Sequence, residues 1–208
     1  MRELAVLSAV FQWARLEKGW VQSNPCHSIR WPKGNPPRKR RVSSADQKAL
    51  LSALGWKRRQ VQSMNDQVAV AFLLAIETAM RAGELLSLSP DQVHLDRRYV
   101  HLELTKNGDS RDVPLSKAAV RLFKLLVPHD GRMFQLRSGS LDALFRKARD
   151  KAKLGDLHFH DTRRAAVTAL SKKLQPYELA AMTGHRDLKT LLKVYYSPSP
   201  TEAAKKLD

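Results

Sequence analysis

The chain has 208 residues, 43% of them hydrophobic and 27% charged, the make-up of a soluble globular protein with one good-sized domain, or one domain and part of another. Lys and Arg number 37 against 20 Asp and Glu, a formal net charge of +17 that attracts polyanions, nucleic acid first among them; a merely solubilising basic surface is the plainer reading. The single cysteine, Cys26, excludes an internal disulfide and a cysteine-built zinc site, and no apolar run is long enough to span a membrane. The opening Met1-Arg2-Glu3-Leu4 does not have the order of a secretory signal, so a cytoplasmic protein is expected.

Residues 3–20 predict an amphipathic helix with Leu4, Leu7, Phe11 and Ala14 on one stripe, flanked by Val10 and Trp13. A chain that opens inside such a helix reads as truncated, since a lone helix needs a partner face. From Val21 to Ser44 the pattern dissolves into Pro25, Pro32, Pro36, Pro37 and the run Arg38-Lys39-Arg40-Arg41, so residues 23–44 are expected to be a basic, extended linker. Ser44 predicts an N-cap for a helix over Ala45–Leu54. Residues 67–78 are apolar almost all round, the pattern of a buried central helix.

Strand signals follow at Val93–Leu95, Tyr99–Leu104 and Arg111–Leu115, with Lys106-Asn107-Gly108-Asp109 as a turn between the last two. Helices are then predicted at about 116–127, 138–153, 161–174, 176–183 and 187–195, with Gly184 as a left-handed cap. The expected fold is mainly α with a small antiparallel β-sheet (α+β), with residues 45–208 as its principal domain.

No phosphate-binding glycine loop, dinucleotide fingerprint or carboxylate set for two metal ions occurs. His158-Phe159-His160 would place two imidazoles on one face of an extended segment, but no third ligand stands near and Arg163 and Arg164 would repel a cation, so neither metal nor cofactor is expected. What remains is a set of cationic and imidazole groups in separate segments. Arg81, after the apolar helix, must pair with a carboxylate, Glu84 being the nearest, or face a ligand. His160 and Arg163 share a face at a helix start, His185 follows Gly184, and Lys106 tips the hairpin. Any one of these has an ordinary structural explanation. Phosphodiester chemistry without a metal needs a nucleophile, donors for the charge on phosphorus, and an acid for the departing oxygen. Arginines, histidines and a lysine fit the last two needs, and Tyr195 and Tyr196 are the candidate nucleophiles.

Four ordered stretches resemble the tyrosine recombinase (phage integrase) family: Thr78-Ala79-Met80-Arg81-Ala82-Gly83-Glu84-Leu85, Thr105 to Leu115, His160-Asp161-Thr162-Arg163-Arg164 and Thr183-Gly184-His185, closed by a tyrosine. The resemblance covers about Arg38 to Asp208, the family's catalytic domain. The first helix, residues 1–22, looks like the end of the family's core-binding domain, so this chain alone is expected to bind and cleave DNA poorly. The resemblance implies that Arg81 and Arg163 grip the non-bridging oxygens of a scissile phosphate and that His185 adds a donor. It further implies that Lys106 protonates the 5′ oxygen, that His160 helps accept the tyrosine proton, and that Tyr195 attacks to leave a 3′-phosphotyrosyl bond. The partners implied are double-stranded DNA at specific recombination sites, a homotetramer assembled on it, and accessory DNA-bending or directionality factors, with no membrane. The expected activity is metal- and ATP-independent site-specific recombination, with prophage or mobile-element integration as the first role. An inactive DNA-binding protein of the same fold and a type IB topoisomerase-like enzyme are the alternatives. Ala79 stands where the family commonly has glycine and Arg164 where it commonly has histidine. The tyrosines follow His185 by ten and eleven residues, slightly farther than is usual, and the tail after them favours Tyr195. The tail from Pro198 to Asp208 is expected to pack on a neighbouring protomer.

Overall fold

A computed structural model of the chain describes residues 2–32, 40–103 and 110–196. It falls into two compact units, Met1–Lys39 and Arg40–Asp208. In the first unit, helix α1 (Arg2–Glu17) is followed by a 3-10 turn over Pro25–His27. Asn24 caps that turn through its side chain, which accepts from the Cys26 N–H at 3.0 Å, and it donates back to the Ser8 carbonyl of α1 at 2.9 Å. The start of the segment expected to be extended is therefore a built turn, because a buried Asn with partners on both sides fixes it. Only Ala14 of α1 is buried within this unit, and Leu7, Val10 and Trp13 of the expected apolar face stay exposed.

The second unit is built around one helix. Helix α2 (Ser44–Leu54) comes first, then α3 (Met64–Thr78), on which α2 and the later helices over Lys117–Phe123, Ser138–Lys151 and Asp161–Leu170 pack. Val68 through Phe72, Leu74 and Ala75 of α3 have lost essentially all contact with water, as the all-round apolar pattern predicts. Both helices open with a capping box, Ser43 with Asp46 and Ser63 with Asp66. The cap of α2 is thus Ser43 and not Ser44, since only Ser43 has a side-chain acceptor, Asp46, at the right spacing to satisfy its own N–H. The end of the basic segment is held here as well: Arg40 pairs with Asp46 at 2.9 Å, and Val42 is buried.

A short helix absent from the sequence reading, α4 (Ala82–Leu86), follows α3, and then a three-stranded antiparallel sheet in the order β1 (Val93–His94), β2 (Tyr99–Leu102) and β3 (Arg111–Pro114). Val100 faces Val113 and His101 faces Asp112 across β2 and β3. The expected turn at residues 106–109, including Lys106, and the tail from Pro198 lie outside the described residues. Five helices follow among the described residues: α5 (Lys117–Phe123), α6 (Ser138–Lys151), α7 (Asp161–Leu170), α8 (Pro176–Thr183) and α9 (Leu188–Tyr195). The fold is mainly helical with one small antiparallel sheet. A second, smaller apolar cluster of Ala79, Ala166, Val167, Leu179, Ala180 and Leu191 joins the end of α3 to α7, α8 and α9, with Tyr195 and Tyr196 packed against it. Among the described residues no helix is long and apolar enough to cross a membrane.

Candidate functional site

The small cluster joins the end of α3 to α7, α8 and α9, and cationic side chains lie around it. Helix α3 stops at Ala79, which takes the left-handed conformation (φ +56°) and turns the chain, so that Arg81 becomes the extended residue preceding α4 rather than the tail of α3. Three residues on, Glu84 reaches back to accept from the Arg81 N–H at 2.8 Å and from the Arg81 guanidinium Nη1 at 2.7 Å. The pairing foreseen from spacing is present, yet it engages one arm of a side chain that keeps 28% of its surface. The other Glu84 oxygen also accepts from Arg111 Nη2 at 2.8 Å. Burial pushes the Glu84 carboxyl up, and the hydrogen bonds from Arg111 and Arg81 outweigh that and hold it below the usual carboxylate range.

Arg111 points inward because β3 alternates. It shares the buried face with Val113, while Asp112 and Pro114 face out. Its Nε donates to the Met182 carbonyl near the end of α8 at 3.0 Å, and its Nη1 is buried with no acceptor among the described residues. Gly184 makes this approach possible: a β-carbon there would lie 3.1 Å from Arg111 Nη1, and its φ of +68° suits only glycine comfortably.

Arg163, on the first turn of α7, is the most deeply set of the expected residues, at 7% exposure. Its Nη1 donates to the Ala79 carbonyl and its Nη2 to the Thr183 carbonyl, each at 2.6 Å. It therefore ties the Arg81 turn to the His185 turn, and does so through carbonyls, with no carboxylate paired to it among the described residues. Burial first, then Arg81, lowers its pKa to about 10. His185 follows Gly184, and its Nδ1 lies 2.6 Å from the Thr183 hydroxyl. Burial, then Arg163, Arg81 and Arg111, pushes its pKa down to about 4. His160 precedes α7 and keeps part of its surface in water; desolvation first, then Arg163, lowers its pKa as well. Arg81, His160 and Arg163 line one cleft of about 230 Å³ together with His158 and Asp142. Phe159 and His160 form a turn instead of the extended segment expected, and among the described residues no His, Cys, Asp or Glu group is arranged to hold a metal ion.

The two tyrosines differ. Tyr196 donates its hydroxyl to the Leu174 carbonyl at 2.6 Å, and burial followed by Glu178 raises its pKa. Tyr195, half-buried at the end of α9, packs against the small apolar cluster and makes no such bond among the described residues. Of the six expected site residues, Arg81, His160, Arg163, His185 and Tyr195 thus lie around one cluster, and Lys106 lies outside the described residues. Glu84 as a shared clamp, Arg111 and Thr183 were not among them. The signal for Arg111 was in the sequence, in its two-residue step from Val113; for Thr183 there was none beyond its place before Gly184.

The model of the phage integrase family matches residues 41–202, and the chain belongs to that family. It is 40% identical to an integrase/recombinase of Haemophilus influenzae over 210 residues, covering all of this chain and 69% of that protein. It is 36% identical to the shufflon-specific DNA recombinase of Escherichia coli over 209 residues, covering 99% of this chain and 52% of that one. The chain thus spans about half to two-thirds of the length of these relatives. Among solved structures, the Tn1549 transposon integrase in complex with circular intermediate DNA superposes with a TM-score of 0.71 at 17% identity, covering all of this chain and 77% of that one.

Proposed function

We propose that the chain is the catalytic part of a site-specific DNA recombinase that cuts and rejoins DNA through a 3′-phosphotyrosyl intermediate, without metal or ATP. The observation that carries the reading is the excess of buried and half-buried positive charge: Arg81, Arg111 and Arg163 gather where Glu84 pairs with two of them, and Arg163 is held, among the described residues, by two carbonyls. A cluster of that kind is costly unless an anion completes it. The anion is taken to be a DNA phosphodiester, since the whole chain carries +17 and the Tn1549 integrase is seen with DNA.

In this mechanism Arg81 and Arg163 hold the non-bridging oxygens and stabilise the charge that grows on them at the pentavalent phosphorus. The Tyr195 oxygen attacks phosphorus as the bond to the 5′ oxygen breaks. His160 takes the phenolic proton, a role served by a pKa below the ordinary one, which leaves the ring neutral and able to accept. Lys106 gives a proton to the departing 5′ oxygen. The phosphotyrosine ester conserves the energy of the broken bond, so a 5′ hydroxyl from a second duplex reverses the attack. Tyr195 is preferred over Tyr196 because the Tyr196 hydroxyl is already bonded to a carbonyl. By analogy with the relatives, the role is integration or inversion of a mobile segment by protomers assembled on specific sites.

The test is covalent capture. A pool of randomised, nicked duplexes is incubated with the protein, and DNA still attached after denaturation is recovered and sequenced. Because the nick traps even slow cleavage, the wild type is expected to accumulate a small amount of 3′-linked adduct with a recurring sequence, Tyr196→Phe to retain it, and Tyr195→Phe to abolish it. An adduct persisting in Tyr195→Phe would refute the assignment. DNA binding with no adduct at all would make this a non-catalytic relative, and sequence-independent relaxation of plasmids would favour the topoisomerase alternative.

A further inference from the structure

Thr183, the last residue of α8, is completely buried and touches the site twice. Its carbonyl holds Arg163 Nη2 at 2.6 Å, and its hydroxyl sits between the Leu179 carbonyl, at 2.5 Å, and His185 Nδ1, at 2.6 Å. A threonine hydroxyl has one proton. A carbonyl oxygen only accepts, so the proton must lie on the line to Leu179, or two oxygen lone pairs would face each other at 2.5 Å. The hydroxyl can then only accept from the imidazole. That fixes the neutral His185 ring as its Nδ1–H form and leaves Nε2 without a proton. A bare nitrogen repels a phosphate oxygen, whereas the same nitrogen carrying a proton donates to it.

We propose that Thr183 is a positioning residue that sets the His185 tautomer, so that when the site grips a phosphate-like anion, His185 takes a proton from solvent onto Nε2 and becomes an imidazolium. This rests on the reading of the cluster as a phosphate site. The groups that face His185 agree with it. Arg163 from α7, Arg81 before α4 and Arg111 from β3 all disfavour a charged ring while the site is empty, and Tyr177 and Arg186 line the cleft of about 620 Å³ that His185 shares with Arg111. Glu84 is drawn toward Arg81 and Arg111. An incoming anion reverses the balance, and the pKa of about 4 rises. Proton uptake then couples grip to pH: sulfate, whose own charge is constant across the neutral range, should bind up to about tenfold more weakly for each unit of rising pH while the free ring is neutral and the bound ring charged.

Nitrogen-15 NMR of the histidine rings and sulfate titrations between pH 5.5 and 8 test this on the chain itself. In the free wild type at neutral pH, His185 should show protonated Nδ1 and bare Nε2, and sulfate should shift Nε2 to its protonated signature. In Thr183→Val, which removes the hydroxyl and keeps the shape and the carbonyl, the ring is expected to move toward the Nε2–H form. It can then donate without taking up a proton, so the sulfate affinity should lose most of its pH slope. Thr183→Ser should behave as the wild type. A merely structural threonine would alter stability in the Val variant and leave tautomer and slope unchanged, and that result would overturn the proposal. So would a wild-type ring found with its proton on Nε2, a measurement that needs no variant to fold. Sulfate binding at the cluster with Nε2 still bare would overturn the proton uptake alone, whereas no sulfate binding would sink the phosphate-site reading beneath it.

Discussion

At the scale of single residues, the site is a balance between buried cations and the few groups that hold them. His185 gives that balance a pH signature. Its pKa is about 4 in the folded chain against an ordinary value of 6.5, so between those values the unfolded chain binds the proton and the folded chain does not. Stability from this group is present in full above about pH 6.5 and is lost as pH falls toward 4. Thermal unfolding of the wild type and of His185→Gln should diverge across that window. The wild type should lose stability relative to the variant on acidification; parallel curves would show that His185 is not buried as a neutral ring. The residues that point to the site were legible because each carries a demand that its neighbours in sequence do not meet: Arg81 after an apolar helix, Arg163 three residues beyond His160, His185 after a glycine. Glu84 was legible as a partner for Arg81, but its second bond, to Arg111, joins residues 27 apart in sequence and depends on how β3 docks against α4 and α8.

At the scale of elements, boundaries and caps decide where the site residues land. The all-round apolar run foretold α3, and the glycine foretold the end of α8. Helix α4 was not foretold, since five residues are too few to show a period. The left-handed turn at Ala79 was hinted at only by the resemblance, which puts glycine at that position, since alanine itself gives no sign of positive φ. These features make contrasting predictions for thermal or denaturant unfolding. Ser43→Ala should cost about 1 kcal/mol by removing the α2 cap, and Ser44→Ala less than about half of that. Gly184→Ala should cost about 1–2 kcal/mol from backbone strain alone, with displacement of Arg111 added to it. Ala79→Gly relieves strain of similar sign but gives up a fully buried methyl worth about 0.8 kcal/mol, so its net effect should be close to zero. Equal effects at Ser43 and Ser44, or a neutral Gly184→Ala, would contradict this description of the turns.

At the scale of the whole molecule, the charge of +17 is the feature that the proposed DNA partner would meet first. If three phosphates are neutralised in the complex, affinity for a duplex should fall roughly 40-fold between 50 and 200 mM salt, and a binding curve insensitive to salt would remove electrostatics as the basis of recognition. Composition points to a polyanion partner; the DNA sequence that a recombinase prefers is set by base-edge contacts and deformability, and these leave no mark on composition. The account as a whole turns on whether one anion completes the cationic cluster within reach of Tyr195. A crystal structure grown with vanadate, which adopts the five-coordinate geometry of phosphorus under attack, asks this directly. The expected result is a single vanadate held by Arg81, Arg163 and His185, with the Tyr195 oxygen at its apex. Vanadate bound elsewhere, or at the cluster with Tyr196 at the apex and Tyr195 turned away, would contradict the account.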